Sequence, residues 1–205
     1  SASSGNLTIG PNGTVNLSRS DPYNQSSLTA LTVTNHGTIN YTGGELRVGN
    51  QVCSHDCDPN SIGLINNGSL NISATNANFG DKVVNNGTIK ITDTNVSFNR
   101  GLENNGAYIS DPSTNRFASL VIGTNGYLQG GVGDAFVVSG DFINGSTQAA
   151  LWNTRGASLT LYGYQPLIFD YGDVTNQYDF AWGTLEINGN FTLSGTGDLY
   201  VDNLI

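Results

Sequence analysis

The chain has 205 residues and a net charge of −9, with seven Lys and Arg against sixteen Asp and Glu. It therefore lacks the basic surface that nucleic-acid backbones and anionic membranes select, and cations or neutral polymers suit it better. Charged residues are only 11%, whereas Gly and Asn each occur 27 times, a weight on turn formers that favours many turns and few helices. Met is absent and Lys occurs only at 82 and 90, so neither propensity nor pattern supports a long amphipathic helix. No window approaches the roughly 18 to 20 continuous apolar residues of a membrane span. A chain without an initial Met is expected to have lost its start, either by removal of a leader or because only part of a longer sequence was chosen, and both fit a secreted or cell-surface protein.

In chain order, the segments NGTVNLS at 12–18, NHGTINYT at 35–42, NNGSLNIS at 66–73, NNGTIKIT at 85–92, NNGAYIS at 104–110 and TNGYLQG at 124–130 share one frame. Their glycines, at 13, 37, 68, 87, 106 and 126, are separated by 24, 31, 19, 19 and 20 residues. A period of about 20 suits one turn of a β-solenoid with two or three short strands. After each Gly the apolar residues alternate, as in Val15 and Leu17, Ile39 and Tyr41, Leu70 and Ile72, Ile89 and Ile91, the pattern of a half-buried strand. A second apolar segment precedes each Gly: Leu31 and Val33, Ile62 to Ile65, Val83 and Val84, Leu120 to Ile122.

The Asn-Gly step is expected to turn the chain at positive φ, which those two residues tolerate, and His36 fits that corner for the same reason. Stacked corners would align Asn67, Asn86, Asn105 and Asn125 into a side-chain amide ladder. The rival geometry is a type I′ turn in successive hairpins, but hairpins do not by themselves impose a constant step. The expected fold is all-β: a single-domain parallel β-helix with about 20-residue coils, roughly ten coils and a rod on the order of 50 Å long. Residues 1–133 form its coils, with insertions near 18–30 and 43–62, and residues 134–205 its aromatic-rich, acidic C-terminal coils and cap.

The second insertion holds Cys53 and Cys57 around Ser54, His55 and Asp56. Two cysteines this close in an exported protein are expected to close a small disulfide loop. A metal site from Cys53, His55, Cys57 and Asp58 lacks the second cluster that a closed zinc tetrahedron needs, and free thiols are the third option. Ca²⁺ is a weak candidate at Asp56 and Asp58, or at Asp170, Asp173 and Asp179, because neither set has the spacing of an EF-hand or a calcium β-roll. No cofactor is expected.

Twelve of the nineteen aromatic residues lie from Phe136 onward, and residues 161–182 break the repeat and read as an elaboration or lid. The cluster Tyr162, Tyr164, Phe169, Tyr171, Tyr178, Phe180 and Trp182 is either a hydrophobic cap or a ligand surface, with Tyr162, Tyr164, Tyr171, Tyr178 and Trp182 as the ligand-binding candidates. Asp170, Asp173, Asp179 and Glu186 offer carboxylates for glycoside cleavage, although no spacing selects a pair. The two histidines, His36 and His55, belong to a corner and to the cysteine loop, so a Ser-His-Asp triad has no base to spare. No catalytic residue is assigned. Eleven Asn-x-Ser/Thr sequences occur, at 6, 12, 16, 24, 40, 67, 71, 86, 95, 144 and 190, but an Asn-Gly-Thr repeat generates such sites unaided.

NNGSLNIS, NNGTIKIT and LEINGNFTLSGTGDLYVDN resemble the degenerate repeats of bacterial β-helical surface proteins, such as autotransporter passengers and filamentous-haemagglutinin-like adhesins. The likeness covers residues 5–130 and 184–203 and is one of repeat style, so no family site residue transfers. It implies a right-handed parallel β-helix that projects from a cell and adheres, aggregates or builds matrix. The expected role is structural rather than enzymatic: a subunit that self-associates end to end or by strand addition, with a glycan or cell surface as a further partner. The alternatives are a polysaccharide lyase or hydrolase, or a carbohydrate-binding module, on the same fold.

Overall fold

The computed structural model describes residues 5–18, 27–43, 45–48 and 61–205. The first coil is β1 (Leu7–Ile9), β2 (Thr14–Leu17) and β3 (Ser27–Ala30), of which β3 falls in the expected first insertion, followed by β4 (Val33–Asn35), β5 (Thr38–Tyr41) and β6 (Glu45–Val48). Three near-identical coils come next: β7 (Ile62–Asn66), β8 (Ser69–Ile72) and β9 (Asn76–Phe79); β10 (Lys82–Asn85), β11 (Thr88–Thr92) and β12 (Asn95–Phe98); β13 (Leu102–Asn104), β14 (Ala107–Asp111) and β15 (Thr114–Phe117). The C-terminal part adds β16 (Leu120–Ile122), β17 (Tyr127–Gln129), β18 (Ala135–Val138) and β19 (Phe142–Asn144). Two long bent strands, β20 (Thr154–Asp173) and β21 (Trp182–Thr196), and a short β22 (Val201–Leu204) complete it.

Each coil visits three faces. One face stacks β1-β4-β7-β10-β13-β16-β19 and continues into the second half of β20. The second stacks β2-β5-β8-β11-β14-β17, and the third stacks β9-β12-β15-β18 onto the first half of β20. All of these pairings are parallel, so the chain is a parallel β-solenoid, of about eight turns with repeats near 21 residues. The hairpin alternative does not occur among the described strands. The count falls below ten because the coils lengthen outside the centre: Phe142 pairs with Phe169, and Phe169 with Leu193, whereas Leu70 pairs with Ile89.

The core consists of columns of like side chains, one residue per coil. Val33, Leu64, Val83, Leu102, Leu120, Phe142 and Phe169 form one such column, all buried. Phe79, Phe98 and Phe117 form another on the third face, with ring centroids 5.0 and 5.2 Å apart and planes within 6° and 2°. Stacking identical flat rings at the strand spacing excludes water along the whole inside corner.

The Asn-Gly corners serve as turns, but for a different reason than the sequence suggests. None of the corner glycines at 13, 37, 68, 87, 106 and 126 has positive φ; the described non-Gly residues that do are Asp93 and Phe180. His36 therefore needs no special tolerance and is an exposed residue in the stack. Gly is required because the corners are crowded. A Cβ on Gly37, Gly68, Gly87 or Gly106 would lie 2.1 Å from the carbonyl oxygen of the corner glycine one coil before, inside any permitted contact and against backbone that cannot yield.

Asn contributes two ladders at the corners, besides the run Asn71 to Asn40 to Asn16 on the second face. The buried one uses the residue before the expected one: Asn35, Asn66, Asn85 and Asn104, each fully buried. Their side-chain amides donate in sequence to the next Oδ1, at 2.7 Å in all three steps. Each Nδ2 also reaches a backbone carbonyl of the following coil, Ser69, Thr88, Ala107 or Tyr127. The exposed ladder runs where expected, from Asn105 to Asn86 and from Asn86 to Asn67. It does not extend to Asn125, because Gly123 occupies the next position: its N–H donates to Asn104 O as that of Asn105 does to Asn85 O. The chain then makes the turn Gly123-Thr124-Asn125-Gly126, closed by Gly126 N–H to Gly123 O at 2.8 Å. The turn Gly10-Pro11-Asn12-Gly13 is closed in the same way at 2.8 Å.

Residues 161–173 prove to be coil rather than lid. Leu161 pairs with Val138, and Phe169 with Phe142, so the aromatic stretch carries the solenoid onward. Its elaboration is a wider corner: eight residues separate Leu161 from Phe169 where four separate Val138 from Phe142. Tyr162 and Tyr164 sit on that excursion.

Candidate functional site

A cleft of about 570 Å³ opens where the first and second faces meet near the C-terminal end. Its walls come from the corner Asn144–Thr147 after β19, the end of β20, the loop that includes Thr175, Asp179 and Phe180, and Ser194–Thr196 of β21. Coil stacking brings Asp170, Asp173 and Asp179 to one cleft although the sequence spaces them irregularly.

Each carboxylate has local work. Asp170 Oδ1 accepts from Gly172 N–H at 2.9 Å, which holds the left-handed Gly172 (φ 86°) against Asn144. Asp173 Oδ1 accepts from Thr196 Oγ1 at 2.7 Å, joining the ends of β20 and β21. Asp179 Oδ2 accepts from Thr175 Oγ1, Thr175 N and Asn176 N at 2.9, 3.1 and 2.9 Å, tying its loop into a knot. Partial burial pushes its pKa up, but the hydrogen bonds from Asn176 and Thr175 outweigh that and hold the carboxyl below the usual range. Among the described residues no group of three or more His, Cys, Asp or Glu is placed to hold a metal ion. Glu186 lies elsewhere, on the third face, accepting from Asn188 Nδ2 at 2.8 Å and Thr160 Oγ1 at 3.3 Å. The four candidate carboxylates thus divide three and one.

The five aromatic candidates do not form one surface. Tyr162 and Tyr164 are exposed at the widened corner. Tyr171 is half-buried beside the cleft, packed on Gly195 and donating to Gly197 O at 3.2 Å. Tyr178 is on a different corner, under the Arg155 guanidinium at 4.3 Å and edge-on to Tyr200 at 5.0 Å. Trp182 is a correction: it is 1% exposed, at the centre of an edge-to-face cluster with Phe136, Phe142 and Trp152, and presents no surface to a ligand. Phe169 and Phe180 are likewise core. Cys53, Cys57 and their loop, with His55, Asp56 and Asp58, lie outside the described residues.

Sequence reasoning missed a buried polar cluster between the second and third faces. Tyr108 Oη donates to Asn115 Oδ1 at 2.7 Å, and Asn115 Nδ2 donates to Ser110 Oγ at 2.9 Å. Ser110 Oγ in turn donates to Asp134 Oδ1, which also accepts from Ser113 N–H at 2.8 Å. Burial, reinforced by the Asp134 charge, pushes the Tyr108 phenol well above its ordinary value. Every buried side-chain polar atom among the described residues has a partner, which marks this as a satisfied structural network rather than a poised one.

No protein-family model matches the chain, and neither a curated protein nor a solved structure is significantly similar to it.

Proposed function

We propose that the protein is an extracellular structural subunit that lengthens by stacking a second copy on its open coil edge. The observation that carries this reading is the β21–β22 edge. Among the described strands β22 pairs only with β21, and Leu193, Leu204 and Ile205 are 59%, 70% and 75% exposed there. The core column Val33 to Phe169 continues to Leu193, which is exposed among the described residues. At the opposite edge, β1, β2 and β3 each have a partner on one side only among the described strands, with Leu7, Val15 and Leu28 half-buried. Unpaired parallel strands over an apolar column suit addition of a further parallel coil. A contact between different ends does not close on itself and propagates as a filament. The repeat style shared with bacterial surface adhesins supports an extracellular setting.

Sedimentation velocity over a range of concentrations tests this. The expected result is a concentration-dependent ladder of oligomers that Leu193→Asp and Leu204→Asp abolish while circular dichroism remains that of the parent. A chain that stays monomeric at the highest soluble concentration, or oligomers indifferent to both substitutions, would overturn it.

A second reading, sugar binding or cleavage in the Asp170–Asp173–Asp179 cleft, is favoured by the convergence of those three side chains. It predicts polysaccharide retention or cleavage that Asp170→Asn and Asp173→Asn remove, and absence of both from the parent protein would end it.

A further inference from the structure

The corner that builds this fold is also the dipeptide most prone to spontaneous amide loss, because a following Gly leaves its backbone nitrogen free to approach the Asn side chain. Seven Asn-Gly steps occur, beginning at 12, 67, 86, 105, 125, 144 and 188. The structure does not treat them alike. We infer that Asn12 and Asn125 are sites of covalent modification, by conversion to aspartate and isoaspartate, while the laddered corners are protected.

The difference lies in what must be broken before the reaction. The step is an attack by the Gly backbone nitrogen on the Asn Cγ. The new N–Cγ bond closes a five-membered imide, the nitrogen loses its proton, and the Cγ–Nδ2 bond breaks to release ammonia. Water then opens the imide at either carbonyl, giving an aspartate or its β-linked isomer. Both the Asn side chain and the Gly nitrogen must be able to move.

At Asn86 neither can. Its Nδ2 donates to Asn67 Oδ1 at 2.8 Å, its Oδ1 accepts from Asn105 Nδ2 at 3.1 Å, and Gly87 N–H donates to Asn66 O in the preceding coil at 2.9 Å. Asn105 is held by Asn86 and by Glu103 at 3.2 Å, with its Oδ1 seated against Gly123. Asn144 is buried, donates to Tyr171 O at 3.0 Å and accepts from Ser146 N–H at 3.1 Å. Reaction at these sites requires opening a coil against its neighbours.

Asn12 and Asn125 occupy the two Gly-x-Asn-Gly turns that flank the laddered corners. Both are exposed. The Gly nitrogen of each is tied only within its own turn, to Gly10 O and Gly123 O, so freeing it breaks no bond from that nitrogen to another coil; the turn carbonyls of Gly13 and Thr124 still accept from Thr38 and Thr147 of the next coil. Such local opening is far more frequent than opening of a packed unit.

The test is peptide mapping by mass spectrometry of the folded protein held in mildly alkaline buffer, with the same incubation in denaturing urea. The expected result is conversion at Asn12 and Asn125 at least about tenfold faster than at Asn86, corresponding to two or more extra hydrogen bonds broken at the ladder, with rates converging in urea. Asn105→Ala, which removes the donor to Asn86 Oδ1, should raise the rate at Asn86 and leave Asn12 and Asn125 unchanged. Equal rates at all sites in the folded state, or a preference for Asn12 and Asn125 that persists in urea, would overturn the inference.

Discussion

Gly87→Ala separates crowding from backbone conformation as the reason for the corner glycines. The added Cβ would stand 2.1 Å from Gly68 O and 2.9 Å from both Gly68 N and Asn67 C. A comfortable carbon–oxygen contact is beyond about 3 Å, so the coils must part by about 1 Å at this corner. The bonds Asn86 N–H to Asn66 O, Gly87 N–H to Asn66 O and Thr88 N–H to Gly68 O, now 2.7, 2.9 and 2.8 Å, would all lengthen. Losing three backbone bonds costs about 3 kcal/mol. That is a large fraction of the roughly 5–15 kcal/mol that holds an ordinary domain together. The control is Gly10→Ala, where a Cβ meets nothing within 4 Å and the expected change is within about 0.5 kcal/mol. Urea unfolding followed by circular dichroism measures both. A Gly87→Ala protein as stable as Gly10→Ala would refute the crowding argument.

The two Asn ladders should differ in energetic weight. Asn85→Ala strands the Asn104 Oδ1 and takes an acceptor from Asn66 Nδ2 in the core, so a loss of about 2–4 kcal/mol is expected in urea unfolding, against under about 1 kcal/mol for the exposed Asn86→Ala. Phe98→Ala opens the middle of the ring stack between Phe79 and Phe117 and should cost about 3–5 kcal/mol by the same assay. The raised pKa of Tyr108 means that the folded state disfavours its anion. Its contribution is full below the ordinary value of 10.0 and is lost as pH rises above it. Melting temperature should fall on that alkaline limb, and Tyr108→Phe should flatten the limb while costing some stability at neutral pH because Asn115 loses its donor.

Much of this fold was legible because each coil repeats the same physical demand. Alternation after the glycines located the second face correctly, and the constant step between Gly68, Gly87 and Gly106 set the coil. The cause was misread at the corner itself, since a glycine selected for close approach looks the same in sequence as one selected for positive φ. The third face is carried by a weaker signal, Phe79, Phe98 and Phe117, which recur every nineteen residues in phase with the Asn-Gly frame and so add no separate period to it. Residues 161–173 read as an insertion because β20 runs through a widened corner, which shifts spacing without ending the coil. The cleft carboxylates are irregularly spaced, so only stacking reveals that Asp170, Asp173 and Asp179 share a site and that Glu186 does not. Trp182 illustrates the converse: an aromatic in a Tyr-rich, acidic stretch reads as a binding platform, whereas in the fold it fills the core.

The most direct test of end-to-end assembly is cryo electron microscopy of the protein at a concentration where it associates. Continuous rods are expected, with the strand spacing of about 4.8 Å carried through each junction and β21–β22 of one copy beside β1–β3 of the next. Isolated single solenoids, or copies joined side by side with both coil edges still open, would contradict it.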